Sequence, residues 1–270
     1  MKTMNTVKSA DGTEIAYEAV GSGPSVILVD GATGFRAFGF SRRLAELLSG
    51  TLRVYCYDRR GRGESGNTEP SSLQREVEDL DALIEAAGGR AGLYGISSGG
   101  ALALEAAATL GQRVPRLAIY EVPYDSSDAG VKAWREYRAQ LSQLIADDKR
   151  GDAVALFMTF VGAPAEMVAG MRQTPVWPML ESVAPTLLND ATALGEDRTV
   201  PLDRAASVTA ETLVMDGGAS LDAMPFMRAS AEALARAIPR ARHRVLEGQR
   251  HDVDPAVIAP LLAAFFTERR

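Results

Sequence analysis

The sequence predicts an α/β protein: a mostly parallel, doubly wound sheet of about eight strands, helices on both faces and a helical insertion late in the chain. Three observations predict it. Short apolar, β-branched runs alternate with longer amphipathic runs over the first 122 residues, and again from residue 208 onward. One strand-to-helix junction reads Gly95-Ile96-Ser97-Ser98-Gly99. Between 123 and 207 the strand rhythm is lost and only helical or irregular pieces can be read. The predicted organisation is a core of residues 1–122 and 208–270, with 123–207 inserted as a helical lid.

Residues 3–8 and 13–20 flank Asp11-Gly12, a strong hairpin signal, and should pair antiparallel at one sheet edge. Residues 25–30 are nearly all apolar and read as a strand buried on both faces. They end in Asp30-Gly31-Ala32-Thr33-Gly34, a loop able to turn backbone N–H groups towards a ligand. A helix over 38–49 and a strand over 52–57 lead into Asp58-Arg59-Arg60-Gly61-Arg62-Gly63-Glu64-Ser65-Gly66. Residues 71–87 place Leu73, Val77, Leu80, Leu83 and Ile84 on one helical face, with Ser71 or Ser72 as N-cap and Gly88-Gly89 as the stop.

A short strand over 90–94 then meets the Gly/Ser junction and a helix over 101–110, and 116–121 reads as the next strand. Helical pieces at 131–147, 151–161, 164–172 and 178–188 make up the insertion. The rhythm resumes with a strand at 212–216, a helix at 223–237, a strand at 242–246 and a helix at 254–266.

Composition narrows the function. With 270 residues and 46% hydrophobic content, the chain can bury one large domain, and no linker divides it. A net charge of −6 argues against a nucleic-acid or anionic-membrane partner. The single cysteine, Cys56, forbids an internal disulfide and fits a reducing compartment. No signal-peptide core or membrane-length apolar run is present, so the expected location is cytoplasmic. Two histidines and one cysteine leave no material for a His/Cys metal cluster. Neither metal nor cofactor is expected.

The junction carries the chemistry. A serine in a sharp strand-to-helix turn exposes its hydroxyl, and the turn needs small residues two positions either side. Gly95 and Gly99 supply them for Ser97, whereas Ser98 as nucleophile would put Ile96 where a small residue is required. The base should be a histidine. His243 lies inside a predicted strand as a solvated-face residue; His251 lies in the loop leaving the last strand, on the rim that carries Ser97. A carboxylate should orient the imidazole, and Glu121, Asp216 and Asp222 all fall on rim loops.

With these residues placed, the chain resembles the α/β-hydrolase superfamily over nearly its whole length. Gly95-x-Ser97-x-Gly99 looks like that family's nucleophile elbow, and Asp58-x-x-Gly61-x-Gly63-x-Ser65 is similar to its loop after the second parallel strand. The order serine, acid, histidine is also the family's. The resemblance implies a serine hydrolase acting on a small, largely apolar ester or lactone, with an oxyanion hole made by the N–H groups of Ser98 and Ala32. A perhydrolase or haloperoxidase, or a non-hydrolytic binding or lyase-like member, is the alternative it leaves.

A subset of the family takes its acid from the strand after the elbow. Glu121 matches that subset and is preferred, with Asp222 second and Asp216 third, because the Gly217-Gly218 pair gives Asp216 the look of a turn residue. One departure is Asp30-Gly31, where the family often has His-Gly. A carboxylate near a developing oxyanion needs a partner, and Arg36 or Arg59 is the expected one. Gly31, Thr33, Tyr124, Phe157, Phe160, Trp177 and Met179 are the expected rim and lid residues around the substrate.

Overall fold

The computed structural model describes residues 5–221 and 223–268. Its centre is an eight-stranded sheet of order β1-β2-β4-β3-β5-β6-β7-β8, formed by β1 (Asn5–Lys8), β2 (Glu14–Val20), β3 (Ser25–Val29), β4 (Arg53–Tyr57), β5 (Gly92–Ile96), β6 (Arg116–Tyr120), β7 (Glu211–Gly217) and β8 (Ala241–Leu246). β2 runs antiparallel to β1 and β4, and every later pairing is parallel.

Alternation along the parallel strands builds two cores. Ile27, Val29, Leu93, Ile119 and Val214 face one layer; Val26, Leu28, Tyr94, Ala118, Tyr120 and Met215 face the other. Burying each large apolar side chain contributes roughly 1.5–3 kcal/mol. Both sheet faces therefore demand helical cover, and the central strands read as continuous apolar runs. α1 (Ser41–Leu48) and α11 (Pro255–Thr267) pack together over the second layer. α2 (Leu73–Ala86), α3 (Ser98–Leu110) and α10 (Phe226–Ala237) cover the first. Ser72 caps α2, its hydroxyl accepting the Arg75 N–H at 3.2 Å.

Between β6 and β7 lie six helices: α4 (Asp128–Ala146), α5 (Arg150–Phe160), α6 (Ala165–Met171), α7 (Trp177–Val183), α8 (Leu187–Ala193) and α9 (Leu202–Ala206). The predicted last helical piece, 178–188, is really two helices joined by a 3-10 turn at Ala184–Thr186, and α8 continues to Ala193. Pro185, the middle residue of that turn, lacks the N–H a continuous helix would need there. α8 packs on α3 and α2, so this end of the insertion sits on the elbow helix. Among the described residues no helix is long and apolar enough to cross a membrane.

Candidate active site

The parallel strands bring the ends of β3, β5, β6, β7 and β8 to one edge, where a doubly wound sheet forms its ligand crevice. Ser97 links β5 to α3 with φ 57° and ψ −133°, a conformation L-residues rarely adopt. The turn holds because the Ser97 N–H donates to the Tyr120 carbonyl at 3.0 Å and the Ser97 carbonyl accepts from Gly100 N–H at 2.9 Å. A Cβ at Gly95 would meet the Gly99 carbonyl oxygen at 2.5 Å, and one at Gly99 would strike the carbonyls of Val29 and Asp30. Among the described residues the Ser97 hydroxyl makes no hydrogen bond. The Ser98 hydroxyl is buried and donates to Asp190 Oδ1 at 2.8 Å.

Glu121 directly follows β6, at φ 44°, with its side chain 0% exposed. Its Oε1 accepts the Gly217 N–H at 2.8 Å, and its Oε2 lies 2.9 Å from His251 Nδ1. With the carboxylate accepting from Nδ1–H, Nε2 is the ring nitrogen left to take a proton. The Asp216 carboxylate is engaged elsewhere: Oδ2 accepts from Arg228 Nε at 2.5 Å and Oδ1 lies 2.5 Å from His243 Nε2. Asp216 lies inside β7, where the predicted strand ends, so it is not the turn residue that the Gly217-Gly218 pair suggested; His243 is an exposed strand residue, as expected, whose ring also reaches this buried carboxylate. The neighbouring strands place Asp216 and His243 within reach, a juxtaposition that no spacing along the chain reveals. Asp222 lies outside the described residues.

The loop after β3 is pressed against the elbow. A Cβ at Gly31 would sit 2.9 Å from Ser97 Cβ and 3.1 Å from the Ile96 carbonyl oxygen, so only glycine allows this approach. Thr33, at φ 62°, turns the loop back. The expected pairing of Asp30 with Arg36 or Arg59 is not what forms. Arg36 is taken by Asp58, Glu18 and Glu64, and Arg59 donates to the Asp30 carbonyl at 3.2 Å, not to its carboxylate. The Asp30 carboxylate accepts only the Ser41 hydroxyl, at 2.6 Å, among the described residues.

Burial pushes the Asp30 carboxyl above the ordinary aspartate value of 3.8. A carboxyl raised on folding holds its proton more tightly when folded. Its contribution to stability therefore falls as pH rises from 3.8 through the raised value, and is constant above it. Asn has no proton to lose and keeps an oxygen for Ser41. An Asp30→Asn variant should gain melting temperature over the parent, least at pH 3.8 and increasingly as pH rises until the gain levels off. A pH-independent difference in paired thermal melts would show that the Asp30 carboxyl titrates alike in the folded and unfolded chain, and would overturn the raised value.

The residues sequence reasoning passes over are Arg62 and Asp190, and it names Arg59 only as a partner for the Asp30 carboxylate. Both arginines are 1% exposed although their loop reads as charged and solvated. Arg59 pairs with Glu76 at 2.8 Å and Asp190 at 2.6 Å; Arg62 pairs with Asp190 at 2.6 Å and donates through Nε to Thr186 Oγ1 at 3.0 Å. Burial alone would raise the Asp190 carboxyl, but the facing Arg62 and Arg59 and the Ser98 hydroxyl bond hold it below the ordinary aspartate range. The available signal was three arginines in a five-residue stretch, more positive charge than a solvated turn needs.

Of the expected substrate-facing residues, Tyr124 and Trp177 are buried in the core that the insertion shares with the first layer. Trp177 Nε1 donates to Glu181 Oε1 at 2.9 Å. Phe160 stacks on Tyr137 with ring centroids 4.3 Å apart, and Arg198 lies 5.2 Å from the Phe160 centroid. Phe157 is partly buried against the same core. Met179 is partly buried, in α7. Among the described residues no group of three or more His, Cys, Asp or Glu is placed to hold a metal ion.

This sheet order, with a positive-φ serine between β5 and α3 and a buried carboxylate on a rim histidine, defines an alpha/beta hydrolase. The chain belongs to the alpha/beta hydrolase family, whose sequence profile matches residues 26–261. Its structure is similar to that of an alpha/beta hydrolase from Sphaerobacter thermophilus DSM 20745, which is 49% identical, covers 97% of this chain and 100% of its own, and superposes with a TM-score of 0.87. A thermophilic esterase from Thermogutta terrifontis shares the fold at 23% identity, 96% of either chain and a TM-score of 0.67. The enol-lactonase from Burkholderia xenovorans LB400 does so at 23% identity, 98% and 100% coverage and a TM-score of 0.68. No curated protein matches the chain in sequence.

Proposed function

We propose that the chain is a serine hydrolase that cleaves a carboxylic ester or lactone of a small, largely apolar molecule through an acyl-enzyme. The observation that carries the reading is the fully buried Glu121 carboxylate 2.9 Å from His251 Nδ1, on the rim where Ser97 leaves β5. Ser97 Oγ attacks the carbonyl carbon while His251 Nε2 takes the hydroxyl proton. Negative charge develops on the carbonyl oxygen and is met by the N–H groups of Ala32 and Ser98; the latter opens α3, where no helical carbonyl competes for it. His251 then returns the proton to the leaving oxygen, and a water repeats both steps to release the acid. In lactone cleavage the leaving oxygen stays on the product. Glu121 fixes the tautomer and steadies the imidazolium throughout.

A serine nucleophile fits acyl transfer rather than the alkyl-ester chemistry of carboxylate-nucleophile members of this fold. The fold itself is shared with an esterase and an enol-lactonase and does not choose between them. The helices between β6 and β7 are the natural lid, and the Phe and Met side chains they carry favour an apolar substrate.

The test is intact-mass and peptide-mass analysis after treatment with a small fluorophosphonate, followed by a panel of esters and lactones. One adduct per chain on the peptide containing Ser97, with turnover of an ester or lactone, is the expected result. No adduct on folded protein would overturn the reading, and turnover seen only with added peroxide would replace water as the acceptor.

A further inference from the structure

We infer that Asp190, carried by α8 of the insertion, is a positioning residue that sets both oxyanion donors at once. The inference rests on the serine-hydrolase reading above. One buried carboxylate reaches both halves of the proposed oxyanion hole. Through Oδ1 it accepts the Ser98 hydroxyl at 2.8 Å, which anchors the first residue of α3 and therefore the direction of its N–H. Through Oδ2 it accepts from Arg62 Nη2 at 2.6 Å.

The other amino group of Arg62 donates to the carbonyls of Gly31 at 2.6 Å and Gly34 at 3.0 Å. The Gly31 carbonyl and the Ala32 N–H belong to the same peptide unit. A planar trans peptide points them in opposite directions, so fixing the carbonyl on Arg62 fixes where the Ala32 N–H points. The charged donor also polarises that peptide and makes its N–H a stronger donor. Arg59 completes the frame: Nη1 is shared between Asp190 Oδ1 at 2.6 Å and the Asp30 carbonyl at 3.2 Å, while Glu76 holds the rest of its guanidinium.

Two arginines and two carboxylates balance, and each carboxylate accepts at least two charged bonds. Such a frame keeps donors aimed at a charge that exists only during reaction. Its loss therefore acts on kcat more than on KM.

The decisive experiment compares the parent with Asp190→Asn and Ser98→Ala, using p-nitrophenyl acetate turnover per active site titrated with the fluorophosphonate. Asp190→Asn keeps the shape and removes the charge; it should lower kcat by ~100-fold, with KM within about threefold. Affinity for a boronic-acid transition-state analogue should fall in step with kcat/KM. Ser98→Ala, which leaves no charge unpaired, should lower kcat in the same sense, and the double variant should lose less than the product of the two. A merely structural role would reduce the titratable fraction and leave kcat per active site unchanged, and that outcome in both single variants would overturn the inference. A parent that neither labels nor turns over ester would instead overturn the serine-hydrolase reading, and the inference with it.

Discussion

A Ser97→Ala variant should fold like the parent and lose about 10⁶-fold in kcat. The fold should survive because the Ser97 hydroxyl makes no hydrogen bond among the described residues, and alanine meets the same backbone cost at φ 57° that serine already meets. The activity should not survive, because the adjacent hydroxyl, on Ser98, is buried against Asp190 and is not placed to replace it. The residual rate over water would come from substrate binding and the oxyanion donors alone. Turnover of an ester by the folded variant, verified by its melting curve, measures this directly. Activity above about a hundredth of the parent's would place the nucleophile elsewhere.

Glu121→Gln should cost about 10⁴-fold in kcat while leaving KM nearly unchanged. The geometry forces the effect. The Gly217 N–H is fixed by the end of β7 and requires an oxygen opposite it, at 2.8 Å from the present Oε1. A glutamine that satisfies Gly217 with its carbonyl must turn its NH₂ towards His251 Nδ1. Nδ1 then has to accept, the ring proton moves to Nε2, and the nitrogen that should take the Ser97 proton is already protonated. Reversing the amide to suit His251 would leave the Gly217 donor facing another donor in a buried site. Asp216→Asn is the matched control. Its partners are Arg228 and His243, so it should lower stability without slowing the chemistry by more than about tenfold. Equal losses in both variants would mean that the acid is not Glu121 alone.

The elements differed in how legible they were. The hairpin at Asp11-Gly12, the buried strands and the capped helix after Ser72 follow rules that act within a few residues. Each appears within a residue or two of where its pattern placed it. The elbow strand was read two residues early, because Gly92 and Gly95 look like loop residues until the close packing of α3 gives them a reason. α8 and α9 were not separated from their surroundings, since their turns are too short to establish a period. For the candidate site, Ser97 and His251 could be named from backbone sterics and rim position. The choice among acidic residues could only be ranked.

By itself, then, the sequence determined the alternating architecture, the elbow and its serine, because periodicity, turn chemistry and close backbone approach are local properties written in adjacent residues. Tertiary structure alone decided that Glu121 meets His251 across 130 positions while Asp216 is taken by His243 and Arg228. It also decided that Arg59 closes on Asp190 across 131 positions. Charged side chains pair according to which strand ends and helix faces the hydrophobic layers bring together. Burial then makes those pairings strong by removing water, and neither condition exists until the two cores have formed.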